Sequence, residues 1–182
     1  KLSQAYKAKR IAQDEIFRNV ETQFAKVPSL CHAISEIDPL RVYDFEADSN
    51  RVFQRFFWSH SSAKEWVNLQ RTLLAADGTF LKSETGGNLL ILGSEDAENK
   101  SIILAVVIIT ASESKVEWSW FFQKCKSYIS GMDRTGVGIV SDHDKGLQAA
   151  IEEIFVNAFH LYYVKHIERN IQGHKNEQGH KD

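Results

Sequence analysis

The sequence predicts an α/β fold on one mixed sheet: a three-strand meander, then strand–helix repeats, with a helix-helix-hairpin segment in front. Three observations carry this reading. Runs at 72–77, 88–94 and 102–110 are apolar or alternating and are separated by Gly, Asp, Glu and Asn clusters, as successive antiparallel strands would be. From Ser114 onward the pattern becomes amphipathic helices alternating with short apolar strands. Two of the strands also run directly into an aspartate, Asp77 and Asp142.

Bulk properties narrow the function classes. At 182 residues the chain fits one domain, or one with a small appendage, and a 43% hydrophobic fraction is enough for a core. A formal charge of −2 gives no global attraction to nucleic acid, so DNA contact needs a local basic surface or metal ions between carboxylates and phosphates. The two cysteines, Cys31 and Cys125, are too few for a disulfide framework or a cysteine zinc finger, and read as buried thiols of an intracellular protein. The longest apolar run, 102–109, has strand length, so no membrane span is expected. The start has neither a signal-peptide core nor an initiator methionine, and the chain reads as a piece of something longer.

The elements follow in order. Residues 3–27 carry Ala8, Ala12, Ile16, Val20 and Phe24 every fourth position, the stripe of an amphipathic helix. Pro28 stops that helix and opens a second, which Pro39 closes. A hairpin of 42–46 and 52–58 turns at Asp48-Ser49-Asn50. Ser62-x-x-Glu65 is a capping box for a short helix. After the meander, Ser114-x-x-Glu117 caps a helix whose inward face is Trp118, Phe121, Phe122, Cys125 and Ile129. A strand at 137–141, a helix at 144–155, a short strand at 158–162 and a last helix from Val164 complete the scheme. The tail, 173–182, has no apolar anchor and is expected to be disordered.

This element order is that of the RNase H-like superfamily, in which the first and fourth core strands are parallel neighbours about 4.8 Å apart. Asp77 and Asp142 at their C-terminal ends would face each other where open α/β sheets bind ligands. Phosphoryl transfer uses such an arrangement: hard oxygen ligands hold Mg²⁺ or Mn²⁺ pairs that activate the attacking oxygen and stabilise the leaving one. The competing reading is that each aspartate only forms a turn or caps a helix, and Asp144, one turn into its helix, fits a cap best.

Several motifs then resemble one family in order and spacing. Asp77-Gly78-Thr79-Phe80-Leu81-Lys82 is similar to the first-aspartate motif of the Mutator-like element (MULE) transposase domain. Gly86-Gly87-Asn88-Leu89-Leu90 resembles the entry to its second strand, and Glu117-Trp118-Ser119-Trp120-Phe121 its tryptophan-bearing helix. Ser141-Asp142-His143-Asp144-Lys145-Gly146-Leu147 resembles its second-aspartate motif. Phe155-Val156-Asn157-Ala158-Phe159-His160 and His166-Ile167-Glu168-Arg169-Asn170 resemble the histidine-rich segment beyond.

The resemblance implies a lead-in over 1–70 and an incomplete RNase H-like transposase core over 71–172. It implies that Asp77 and Asp142 are catalytic, the first two acids of a DDE triad, and ligands of a two-metal Mg²⁺ or Mn²⁺ site. Asp144, His160 and His166 are secondary metal candidates. The triad's glutamate lies beyond the histidine segment in the family, so Glu152, Glu153 and Glu168 are not promoted to it. Tyr163-Val164-Lys165-His166 stands at the family's Cys/Asp-x-x-His motif, with Tyr163 in place of the Cys or Asp, and tyrosine is a poor zinc ligand, so zinc is not expected. The implied function is DNA cleavage and strand transfer at transposon ends, in the nucleus, with homo-oligomerisation open. The alternative is a domesticated domain acting as a catalytically inactive DNA-associated regulator or protein-interaction module.

Overall fold

In a computed structural model of the chain, residues 2–17, 24–69, 73–82 and 86–163 are described. The predicted last helix, the 173–182 tail and His166 lie outside these residues.

Among the described residues are five helices and seven strands. They run α1 (Leu2–Phe17), α2 (Val27–Ile37), β1 (Val42–Ala47), β2 (Phe53–Ser59), α3 (Ala63–Leu69), β3 (Leu73–Phe80), β4 (Asn88–Glu95), β5 (Ser101–Ile109), α4 (Lys115–Tyr128), β6 (Gly138–Ser141), α5 (Lys145–Ile154) and β7 (Phe159–Tyr162). Of the expected first helix over 3–27, residues 2–17 are helical and 18–23 lie outside the described residues; a turn at Ala25 and Lys26 separates it from α2, and Pro28 sits in the opening turn of α2, where its missing N–H costs nothing.

One mixed sheet has the order β1-β2-β5-β4-β3-β6-β7. The meander β3-β4-β5 is antiparallel as expected, and β6 and β7 add in parallel. The hairpin is not a separate lead-in to the sheet, because β2 pairs antiparallel with β5 from Arg55↔Ile109 to Ser59↔Ala105. A buried face explains the join. Phe57 is fully buried and packs its ring against Phe121, 6.0 Å between centroids.

Packing follows the period-two alternation of the strands. In β4, Asn88, Leu90, Leu92 and Ser94 are buried and the residues between them are partly open. The inward rows meet α4, whose Trp118, Phe121, Phe122 and Cys125 are all 0% exposed, as the capped amphipathic pattern predicts. Ser114 caps α4 by accepting from the Glu117 N–H. α4 packs on β2 and β5, α5 on β6, and the two helices on each other.

Polar contacts fasten the hairpin edge to α4. Arg55 spans Glu46 at 2.8 Å and Glu117 at 3.1 Å, and its guanidinium lies over the Trp120 ring at 4.7 Å. The Trp120 indole N–H donates to Glu46 at 2.8 Å, and Lys124 pairs with Asp44 one strand turn further on.

The approach to β4 depends on a glycine. Gly87 has φ +94°, and a Cβ there would stand 2.6 Å from the Ile109 carbonyl oxygen, a backbone atom that cannot move aside. Its own carbonyl accepts from Leu81 N–H at 2.9 Å, tying the ends of β3 and β4. We expect Gly87→Ala to lower stability by about 2 kcal/mol or more, read from the urea midpoint. An unchanged midpoint would refute this close approach.

Candidate functional site

The site lies where β6 ends and β3 continues. The last parallel pair between them is Ala75↔Val140, and Asp77 and Asp142 each stand two residues further along their own chains. Asp77 thus lies within β3 and Asp142 one residue past the end of β6, the strand paired with β3. Asp77 does not end its strand, as the sequence suggested. β3 runs on to Phe80, held by β4 through Asp77↔Ile91 to Phe80↔Asn88, and it is β6 that stops at Ser141. Asp77 is thus fixed on one side by a ladder while its β6 side opens.

Local hydrogen bonds orient both carboxylates. Asp77 Oδ1 accepts from the Gly78 N–H at 2.9 Å. Asp142 Oδ1 accepts from the Asp144 N–H at 3.0 Å, which folds the turn between β6 and α5. Asp144 is the N-cap of α5, its Oδ1 accepting from Gly146 and Leu147 N–H at 2.8 and 2.9 Å, so its capping reading is the one the structure bears out.

A fourth acid joins them that the sequence reading passed over. Glu113 is half-buried just before α4, and its Oε1 accepts from the Trp118 indole N–H at 2.8 Å. Its carboxylate fills the space over Gly78: a Cβ on that glycine would come within 2.7–2.8 Å of it. Burial pushes the Glu113 carboxyl above the usual range. The Trp118 hydrogen bond opposes this, while the charges of Asp144, Asp142 and Asp77 push the same way. The four carboxylates therefore form one electrostatic cluster. Gly146 completes the arrangement: a Cβ there would meet Lys115 N at 2.8 Å, so the first turns of α4 and α5 touch. Nothing in the local pattern around Ser112-Glu113-Ser114 marks this glutamate, since its neighbours come from strands and a helix far along the chain.

The histidine side is built differently. His160 Nε2 hydrogen-bonds Ser141 Oγ at 2.8 Å rather than a backbone carbonyl, and Ser141 in turn donates to the Asp142 carbonyl at 2.9 Å. Burial holds the His160 ring below its usual pKa, with His143 acting the same way and Glu152 opposing, so the ring is neutral around pH 7. His143 lies flat on Tyr162, 4.2 Å between ring centroids at 7°. Tyr163 N–H donates to Ser141 O at 3.0 Å, extending the ladder with β6. Among the described residues, no group of three or more His, Cys, Asp or Glu side chains is placed to hold a metal ion. No described helix is long and apolar enough to cross a membrane.

The family profile of the MULE transposase domain matches residues 73–170, more than half of the chain and both aspartate-bearing strands. This chain belongs to the MULE transposase domain family. It is also 24% identical over 147 residues to FAR1-related sequence 10 of Arabidopsis thaliana, a match covering 81% of this chain and 21% of that protein. The matched stretch thus spans about a fifth of the length of that relative.

The charge at Glu113 has a testable consequence. A carboxyl whose folded pKa is raised contributes its stability below the unfolded value and loses it as pH rises through the folded value. In buffer free of divalent ions, Glu113→Gln keeps an acceptor for Trp118 and removes the charge. We expect its urea midpoint to match the parent at about pH 4 and to exceed it increasingly up to about pH 7.5. A gap that narrows with rising pH would remove Glu113 from the cluster.

Proposed function

We propose that the chain is the first part of an RNase H-like DDE transposase core, and that Asp77 and Asp142 hold the divalent ions used to cut and join DNA. The observation that carries this is one aspartate in β3 and another just past the end of its parallel neighbour β6, in a chain of the MULE family.

The donor chemistry fits Mg²⁺ or Mn²⁺: the cluster offers carboxylate oxygens, and such ions take hard oxygen ligands while keeping several waters. Such ions, when bound, polarise the scissile phosphate and lower the pKa of the attacking water or hydroxyl. The chain's own residues supply the rest. The β3–β4 ladder and the Gly78 N–H fix the direction of Asp77. The Asp142–Asp144 turn fixes the other ligand against the start of α5. Glu113 adds negative charge that favours cation entry, and its indole bond to Trp118 keeps it pointed at the cluster. DNA is the partner and the nucleus the compartment under this reading. With a net charge of −2, the chain should hold DNA weakly and lose it as salt rises.

A second reading rests on Tyr163, which replaces the Cys or Asp of the family's motif, and on similarity to a relative named for FAR1. It keeps the scaffold as a domesticated, DNA-associated module without cleavage.

Divalent binding tests the first reading. Mn²⁺ should raise the urea midpoint of the chain, and Asp77→Asn and Asp142→Asn should each abolish that rise. Equal stabilisation of Asp77→Asn would put the ion elsewhere. Cleavage separates the two readings. The 182-residue chain should give no detectable nicking, because a missing ligand misplaces the attacking oxygen and angstrom-scale errors cost on the order of a hundredfold. A longer chain carrying the family's third acid should cut if the element is intact, and its silence would favour the domesticated reading. Asp77-dependent nicking by the 182-residue chain itself would mean that Glu113 already completes the site.

A further inference from the structure

β6 ends at Ser141, so the strand stops one residue short of Asp142. Two side-chain ties to β7 flank that aspartate instead. On one side, Ser141 Oγ and His160 Nε2 stand 2.8 Å apart, and Ser141 Oγ donates to the Asp142 carbonyl at 2.9 Å. On the other, the His143 ring lies on Tyr162 at 4.2 Å, and the Tyr162 ring is 4.5 Å from that of His160. Strand register makes the first tie possible. His160 pairs with Ile139, two residues before Ser141, so its side chain leaves β7 on the face of Ser141 and reaches forward along β6. Ser141 is fully buried, and a hydroxyl left without partners there would be costly.

The two contacts of that hydroxyl decide which ring nitrogen carries the proton. A serine hydroxyl has one proton to give. With that proton on the Asp142 carbonyl, the contact with His160 is a hydrogen bond only when Nε2 is the donor. Keeping both bonds therefore sets the tautomer, with Nε2 protonated and Nδ1 the acceptor. A protonated Nε2 has no lone pair to offer a metal ion.

We propose that His160 is a positioning residue: through Ser141 it holds the Asp142 peptide and so aims the Asp142 carboxylate at the divalent ions. This rests on the reading of Asp142 as their ligand. Groups that hold a ligand from behind set its direction, and losing one costs on the order of ten- to a hundredfold in metal affinity. His160 thus supports a metal ligand rather than being one.

The test uses the full chain. Without metal, the ¹⁵N-histidine NMR signals that vanish in His160→Gln should be of pyrrole type at Nε2 and pyridine type at Nδ1. The opposite tautomer overturns the proposal. Mn²⁺ binding is then followed by EPR. His160→Leu should weaken it roughly tenfold. His160→Gln, whose amide can still donate to Ser141, should restore most of the affinity, which a simple loss of packing would not allow. Ser141→Ala should weaken binding as much as His160→Leu, and the double variant no further, because both break one chain of contacts. Losses that add instead overturn the link through Ser141. Should His160→Leu misfold, Ser141→Ala and the tautomer still decide the matter. A parent chain that binds no Mn²⁺ overturns the divalent reading and this role with it. A parent that binds it no better than His160→Leu does overturns this role alone.

Discussion

Three residue pairs join β3 to β6, Leu73↔Gly138 through Ala75↔Val140, and the chemistry of the molecule depends on that short parallel ladder. Parallel pairing obliges the chain to cross over between strands, and the crossovers here are α4 and α5, which is why both helices lie on one face. The face they cover is consequently dry and the core sits there. The register is as important as the adjacency. A slip of one residue between β3 and β6 would send Asp142 to the helix side of the sheet while Asp77 stayed on the other. Gly138 keeps the ladder tight at this point: a Cβ there would stand 3.0 Å from the Leu161 side chain and 3.1 Å from that of Leu73, each of which would have to give way slightly.

Gathering Asp77, Glu113, Asp142 and Asp144 costs electrostatic free energy, and backbone N–H groups offset part of it. Asp144 caps α5, Asp142 takes the N–H of the turn, and Asp77 takes that of Gly78. Lys115, in the first turn of α4, pairs with Glu153 at 2.8 Å. A cluster satisfied by N–H groups keeps its oxygen lone pairs on the open side.

Much of this was legible from residues alone, for identifiable reasons. Asp77 and Asp142 could be read because each follows an apolar run whose strand character is local, and the capping function of Asp144 because caps are short-range. The aromatic face of α4 followed from its period. What failed was non-local. Glu113 belongs to the site only through the packing of α4 against Gly78, and the hairpin joins the sheet only through β5. The end of β3 was misplaced because Asp77-Gly78-Thr79 reads as a turn by composition, while pairing with β4 holds it extended to Phe80.

The sheet order also sets a timetable for folding. β2 is made early but its inner partner is β5, so Arg55 must wait for Ile109 and Ser59 for Ala105. Until β5 is synthesised, the hairpin presents Phe57 and an unpaired edge to solvent, and a two-stranded ribbon has little stability alone. β5 itself pairs on both sides, with β2 and β4, so one strand closes the two halves of the antiparallel region in a single event. Contacts this distant in sequence slow folding and lengthen the time an aggregation-prone edge is exposed. A nascent chain of this protein is therefore most in need of chaperone protection between the emergence of β2 and that of β5.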